Sequence, residues 1–225
     1  MTLSLRTLSR LTAALGLWSS LLVFILVGMN IFTGVSQEYF ESTHPVREYT
    51  ERIIRDAGPL NTAFTVDNLF LVSYAAFFVG LGVLFQSQAD SLVVKLGVGA
   101  MLLVALLDAI ENHHITAMAQ AASAGVPLFD GEIRTQVIMS SLKFHVSCFG
   151  ALLFAVAFPR TSRLGWIVTW LLAGYGFFGV LVLTSPPSLL LTLALLRTAF
   201  FVMSFLLAGI ILWDWTPPSQ STSNI

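Results

Sequence analysis

Six long apolar stretches separated by short polar segments occupy most of the chain. Each is close to the roughly 20 residues that a helix needs to cross the hydrocarbon of a bilayer. The pattern predicts an all-α membrane protein in which six transmembrane helices form one domain over residues 1–215, followed by a Pro-, Ser- and Thr-rich tail, 216–225, that is expected to be disordered. The predicted spans of this six-helix bundle are 11–32, 63–85, 93–118, 135–158, 164–183 and 189–212.

One sizeable polar segment, 34–62, interrupts this pattern. Apolar residues at i, i+3, i+7 and i+8 predict a short amphipathic helix that lies on the outer membrane surface between Pro45 and Gly58. The segment is open to two interpretations, a solvated connector that caps the bundle or a lid over a site that opens outward. The apolar face of the helix consists of Val46, Tyr49, Ile53 and Ile54.

The arginines flanking the spans predict the orientation. Arg6 and Arg10 precede the first span, and Arg160 and Arg163 lie in a short loop, which places both termini and this loop in the cytoplasm. The first apolar run is too long for a secretory signal, whose apolar core has about 7 to 15 residues. We therefore expect no cleaved signal peptide and a multi-pass protein of the cell (inner) membrane.

Composition narrows the class further. Hydrophobic residues make up 56% of the 225 residues and charged residues only 10%, against about a quarter charged in ordinary soluble domains. A net charge of -1 without a block of Lys or Arg argues against a nucleic-acid partner. The single cysteine, Cys148, excludes an intrachain disulfide and a thiolate metal cluster. The lipid bilayer is the one partner that composition implies.

The stretch from Leu107 to His114 places two carboxylates, a carboxamide and two imidazoles inside a predicted span. An ionisable group at bilayer depth costs on the order of 3 kcal/mol or more unless it is paired or faces water, so such groups mark a pathway, a relay or a site. At a rise of about 1.5 Å per residue, the ionisable residues of four spans lie about 6 to 15 Å below the outer boundary. We predict one ligand or proton site from Asp67, Asp108, Glu111, Asn112, Lys143, His145 and Arg197.

Two interpretations of this cluster remain open. An interhelical network of ion pairs that only fixes helix packing predicts no cavity, whereas a functional site predicts a polar cavity open to the outer side. Either arrangement favours paired charges, because a lone buried charge is costly. The negative charges of the three predicted acids are nearly balanced by Lys143 and Arg197, and His145 can supply a third positive charge. These acids are Asp67, Asp108 and Glu111.

A divalent metal is one cofactor that the cluster allows. Asp108 and Glu111, at i and i+3, with His145 from the next span form a set suited to zinc, manganese or iron, which activates water for hydrolysis of a lipid or a peptide. The segment Ser141–His145 resembles the serine-then-histidine helix of the alkaline ceramidase group of intramembrane hydrolases. This resemblance implies an intramembrane metal-dependent lipid hydrolase, although no histidine follows His145 to match that group's later paired histidines.

Haem is a second cofactor to weigh, with His114 and His145 as the available pair of ligands on neighbouring spans. By helix rise they lie about 6 and about 15 Å from the outer face, and haem ligands must face each other across the ring. This mismatch in depth argues against haem.

The function that the sequence favours is binding or translocation of a small or amphipathic ligand, which includes a lipid. Chains of carboxylates and histidines also serve proton relays, so Asp108, Glu111 and His145 suggest proton-coupled transport. The alternatives are the metal-dependent hydrolase and a non-catalytic accessory subunit that docks a partner. The sequence assigns no reaction, substrate or oligomeric state.

Overall fold

Six long helices and one short helix form the described part of the chain. The computed structural model describes residues 4–86, 89–185 and 187–215, apart from four side chains near the start of the last helix, so the predicted tail lies outside the described residues. Six helices are long and apolar enough to cross a membrane, which confirms a helical, multi-pass architecture. The helices are α1 (Leu5–Thr33), α2 (Gln37–Phe40), α3 (Val46–Phe85), α4 (Ser91–Ser123), α5 (Asp130–Ala157), α6 (Arg163–Thr184) and α7 (Pro187–Trp213).

The six long helices pack as a closed ring. Each contacts its neighbours along the chain, and α1 closes the ring against α7. The Ser9 hydroxyl donates to the Leu212 carbonyl across this closure at 2.6 Å, and Ser19 and Ser73 hydroxyls join α1 to α3 at 2.9 Å. We call the end of the bundle that carries α2 the α2 end, and the opposite end, where α1 begins and α7 finishes, the terminal end.

Local sequence signals set several helix ends. Ser4, Asp90 and Ser162 cap α1, α4 and α6 by accepting a hydrogen bond from a backbone N–H in the first turn. Gly34 ends α1 with φ of 68°, a left-handed conformation that glycine adopts without steric cost. The chain can therefore turn back over the ring immediately after α1.

The predicted amphipathic helix and the second span form one helix, so the predicted break at Gly58-Pro59 is wrong. The 40 residues of α3 correspond to about 60 Å of helix, about twice the thickness of bilayer hydrocarbon. Pro59 removes one backbone hydrogen bond, but burial of the apolar face on its N-terminal side stabilises that part of the helix. Tyr49 and Ile53 are fully buried with Phe40, whereas Ile54, predicted on the same face, is 44% exposed.

Aromatic side chains fill the interior of the ring toward the terminal end. Phe78 lies 5.3 Å from Phe77, 4.9 Å from Phe154 and 5.7 Å from Phe205, measured between ring centroids. These rings come from α3, α5 and α7, so they tie opposite sides of the ring together. Leucine, valine and phenylalanine side chains on the outer surface are exposed, as expected of helices that face lipid.

Candidate functional site

We call the rings of Phe77, Phe78, Phe154 and Phe205 the aromatic layer. A cavity of about 230 Å³ lies inside the ring of helices, on the α2 side of this layer. Both α3 and α7 run from the α2 end to the terminal end. Asp67 precedes Phe78 on α3, and Arg197 precedes Phe201 on α7, so the cavity wall is charged near the α2 end and aromatic farther in. The charged wall consists of Glu38, Glu41, Asp67, Asp108, Lys143 and Arg197, and the aromatic wall of Phe70, Tyr74, Phe78, Phe144, Tyr175 and Phe201.

Lys143 of α5 joins three carboxylates. Its Nζ lies 3.0 Å from Asp108 Oδ1 and 3.3 Å from Glu41 Oε1, and it also contacts Glu111 Oε2. The Lys143 side chain is only 7% exposed. An amine buried in this way is stabilised only if charged partners surround it, so the three contacts make Lys143 the electrostatic centre of the site.

Glu111 is held in a mainly structural set of contacts. It is fully buried, and it does not line the cavity. The Gln136 amide donates to Glu111 Oε1 at 2.7 Å, and the Ser140 hydroxyl donates to the same oxygen. With Lys143 on its other oxygen, Glu111 ties α4 to α5.

Asp67 and Asn112 pair across α3 and α4. The Asn112 amide donates to Asp67 Oδ2 at 2.7 Å, and the Gln37 amide of α2 donates to Asn112 Oδ1 at 3.3 Å. Tyr74, two turns along α3 from Asp67, donates to Asp108 Oδ2 at 3.4 Å. The predicted polar residues of the third span, Asp108, Glu111 and Asn112, therefore meet polar side chains from α2, α3 and α5.

Arg197 of α7 lies apart from the Lys143 contacts but lines the same cavity. Its Nη2 is 3.3 Å from Glu38 Oε1, and its guanidinium lies 4.4 Å from the Phe144 ring centroid. The Glu38 side chain is 58% exposed, yet partial desolvation by the surrounding protein raises the pKa of its carboxyl above the ordinary value of 4.5, and the charge of Arg197 partly offsets that rise. The pair also borders a second, outer space of about 550 Å³ beside α5, α6 and α7.

His145 is not part of this cluster, so its predicted place beside Asp108 and Glu111 is wrong. The side chain is exposed, and Nδ1 lies 2.7 Å from the Ser141 carbonyl of its own helix. Lys143, two residues earlier, takes the inward position because two residues span about 200° of an α-helix. The predicted ligand set Asp108, Glu111 and His145 is therefore not assembled.

No group of three or more His, Cys, Asp and Glu side chains within residues 4–86, 89–185 and 187–215 is arranged to hold a metal ion. The two histidines considered as haem ligands also point in different directions. His114 Nδ1 lies 2.9 Å from Gln136 Oε1 between α4 and α5, whereas His145 points out of the bundle.

Sequence reasoning missed the contribution of α2. Glu38 of α2 and Glu41, directly after it, belong to the polar segment 34–62 that lies outside the predicted spans, yet they contact Arg197 and Lys143. The signal was the run Gln37-Glu38 followed by Glu41, whose polar positions share one side of a helical turn directly after the first span. In the structure, Gln37 and Glu38 of α2 line the cavity.

Comparison of the chain with known protein families, with characterised proteins and with solved structures found no match. The geometry of the cavity is therefore the basis for the functional argument.

Proposed function

We propose that the protein binds a small amphipathic ligand in the cavity between α2 and the aromatic layer. The observation that carries this proposal is the division of the cavity wall into a charged part and an aromatic part. A ligand with a polar head and an apolar body satisfies both parts in one orientation. Drug-sized ligands occupy pockets of about 300 to 1,000 Å³, so a cavity of about 230 Å³ suits a smaller molecule.

The charged side chains differ in how many protein partners they already contact, and so in how free they are to contact a ligand. Glu111 is enclosed by Gln136, Ser140 and Lys143, so it serves the helix packing. Arg197 lines the cavity but is paired with Glu38, whereas Asp67 lines it with the neutral Asn112 amide as its hydrogen-bond partner. Asp67 is therefore the side chain that we propose contacts the polar head of the ligand.

The ligand enters, in this proposal, from the α2 end. The outer space of about 550 Å³ shares Glu38, Glu41, Phe144 and Arg197 with the cavity, so displacement of the Glu38–Arg197 ion pair joins the two. Toward the terminal end, a space of about 10 Å³ between aromatic rings holds at most about one water molecule. Translocation therefore requires the rings of α3 and α7 to separate, and proton coupling is assigned to Asp67 and Asp108 rather than to His145.

The same proposal places the α2 end outside the cell and the terminal end in the cytoplasm, in the cell (inner) membrane. Arg6 and Arg10 in the first turns of α1, with Arg160 just before α6 and Arg163 at its start, support this orientation. We also propose that α1 is not cleaved as a signal peptide. Supporting this, α1 closes the helix ring against α7, and its residues Val23 and Leu26 line the cavity.

The proposal is tested with the full chain purified into lipid nanodiscs. Thermal unfolding is measured against a set of small amphipathic cations, anions, neutral compounds and short-chain lipids, because a ligand that binds the folded state raises its stability. We expect at least one compound to raise the unfolding temperature, Asp67→Asn to weaken that effect, and His145→Gln to preserve it. If no compound stabilises the protein while a copurifying protein partner does, the accessory-subunit alternative replaces ligand binding.

A further inference from the structure

The charges on the cavity wall are not balanced. Four carboxyl side chains and two basic side chains line it. Lys143 contacts Glu41 and Asp108, and Arg197 contacts Glu38. Both cations are thus already engaged, and the carboxyl that remains is Asp67.

Asp67 combines burial with a free coordination position. The residue is 8% exposed. Asn112, a neutral donor, hydrogen-bonds Oδ2, whereas among the described residues no donor reaches Oδ1 and no Lys, Arg or His nitrogen lies within 4 Å of the carboxylate. A buried carboxylate of this kind is stabilised by a cation that approaches through the cavity.

Aromatic rings surround the space next to Asp67. Phe70 and Tyr74 follow it on α3 at i+3 and i+7, and their ring centroids are 4.9 Å apart. Phe201 of α7 stacks on Tyr175 at 4.7 Å and lines the same wall. Ring faces attract cations, so the carboxylate and the rings favour the same ligand charge.

We propose that the ligand is an organic ammonium ion with a short apolar or aromatic body, and that Asp67 Oδ1 receives its ammonium group. This inference deepens the proposed function and rests on it. An anionic head meets an excess of carboxylates, and a neutral head leaves Asp67 without a charged partner. The ammonium group satisfies Asp67 while the body lies against Phe70, Tyr74 and Phe201.

The test compares three probes of similar shape at pH 7 on the full chain in nanodiscs. They are 2-phenylethylammonium, neutral 2-phenylethanol and anionic 3-phenylpropionate, and binding is measured by calorimetry. We expect the ammonium to bind at least about tenfold more tightly than the alcohol, as a hydrogen bond to a charged group allows, and the carboxylate to bind most weakly. Asp67→Asn should remove the preference, and the outward-facing His145→Gln should retain it.

A second variant covers the case in which Asp67→Asn does not fold. Phe201→Leu keeps every charge and removes one ring, so it should weaken ammonium binding more than alcohol binding. Equal or tighter binding of the alcohol or the carboxylate overturns the ammonium assignment but leaves the proposed cavity function intact. Binding of none of the three probes also overturns it, and the broader compound set then decides separately whether the cavity binds any ligand.

Discussion

At the scale of single residues, Lys143 is the group on which the polar interior depends most. It touches Glu41, Asp108 and Glu111 while almost wholly buried. Lys143→Met should lower the free energy of unfolding by about 3 to 5 kcal/mol, because removing one partner leaves buried carboxylates without a cation. Thermal or denaturant unfolding of the purified variant measures this loss.

The exposed Lys95 of α4 offers a matched control. Lys95→Met removes the same charge from a side chain that forms no ion pair with any described residue, so its unfolding should match that of the unchanged protein. Adding Glu111→Gln to Lys143→Met should recover part of the loss, since one of the buried charges is then neutral. Full stability of Lys143→Met alone would contradict the central role assigned to this amine.

Glu38 gives a pH-dependent prediction at the same scale. Partial desolvation raises its folded-state pKa above 4.5 although the side chain is 58% exposed, so the folded protein modestly favours the protonated carboxyl. The stability that this preference contributes is present below the ordinary pKa and is lost as pH rises through the raised value.

Glu38→Gln should therefore gain stability relative to the unchanged protein as pH rises from about 4.5 toward neutrality. Unfolding temperatures of both proteins across this interval provide the measurement. Glu51→Gln, on the exposed side of α3, is the control and should follow the unchanged protein. A Glu38→Gln variant that instead loses stability as pH rises would show that pairing with Arg197 outweighs desolvation.

At the scale of elements, α2 is held over the cavity by Tyr39. Its ring stacks on His44 at 3.8 Å, Arg52 lies 3.9 Å from its centroid, and its hydroxyl donates to Glu48 at 2.8 Å. Tyr39→Ala should release α2 and speed entry of a water-soluble thiol reagent into the cavity several-fold.

Accessibility is measured at a cysteine placed at Thr198, which lines the cavity, in a Cys148→Ala background. The rate of maleimide labelling is compared with and without Tyr39→Ala. A cysteine at the exposed Ser42 controls for the reactivity of the reagent, and it should label equally fast with and without Tyr39→Ala. Unchanged labelling at position 198 would mean that α2 does not control access.

Close packing of α1 against α3 depends on Gly80. A Cβ at this position would overlap the side chain of Thr12, which is 1% exposed, whereas a Cβ at Gly99 meets no atom within 4 Å. Gly80→Ala should destabilise the protein by about 1 to 3 kcal/mol through overpacking, and Gly99→Ala should leave it nearly unchanged. Equal unfolding temperatures for the two variants would contradict the packing described for α1 and α3.

At the scale of the whole molecule, the proposed orientation predicts which loops face each side of the membrane. Single cysteines at Ser42 and Ser123, both at the α2 end, should react with an impermeant reagent added outside the cell. A cysteine at Ser162, at the terminal end, should react only after the membrane is opened. The reverse pattern would invert the proposed direction of access to the cavity.

The sequence by itself determined the six long helices, and counting residues along them predicted a common depth for the charged residues. Span length follows from local hydropathy, and depth follows from counting residues along a regular helix. The presence of buried charged residues could also be predicted from the sequence, because a run such as Asp108 to Asn112 contrasts with its apolar surroundings. These properties depend on neighbours along the chain and need no knowledge of the packing.

The tertiary structure decided which polar side chains meet. Lys143 faces the interior and His145 faces outward because the packing of α5 between α4 and α6 sets its rotation. Glu111 pairs with Lys143 rather than with Arg197, and Glu41, 102 residues before Lys143 in sequence, completes that set. Likewise α3 continues through Pro59 because Tyr49 and Ile53 are buried there. Each outcome rests on contacts between distant segments, whose energies exceed the local preferences that sequence patterns record.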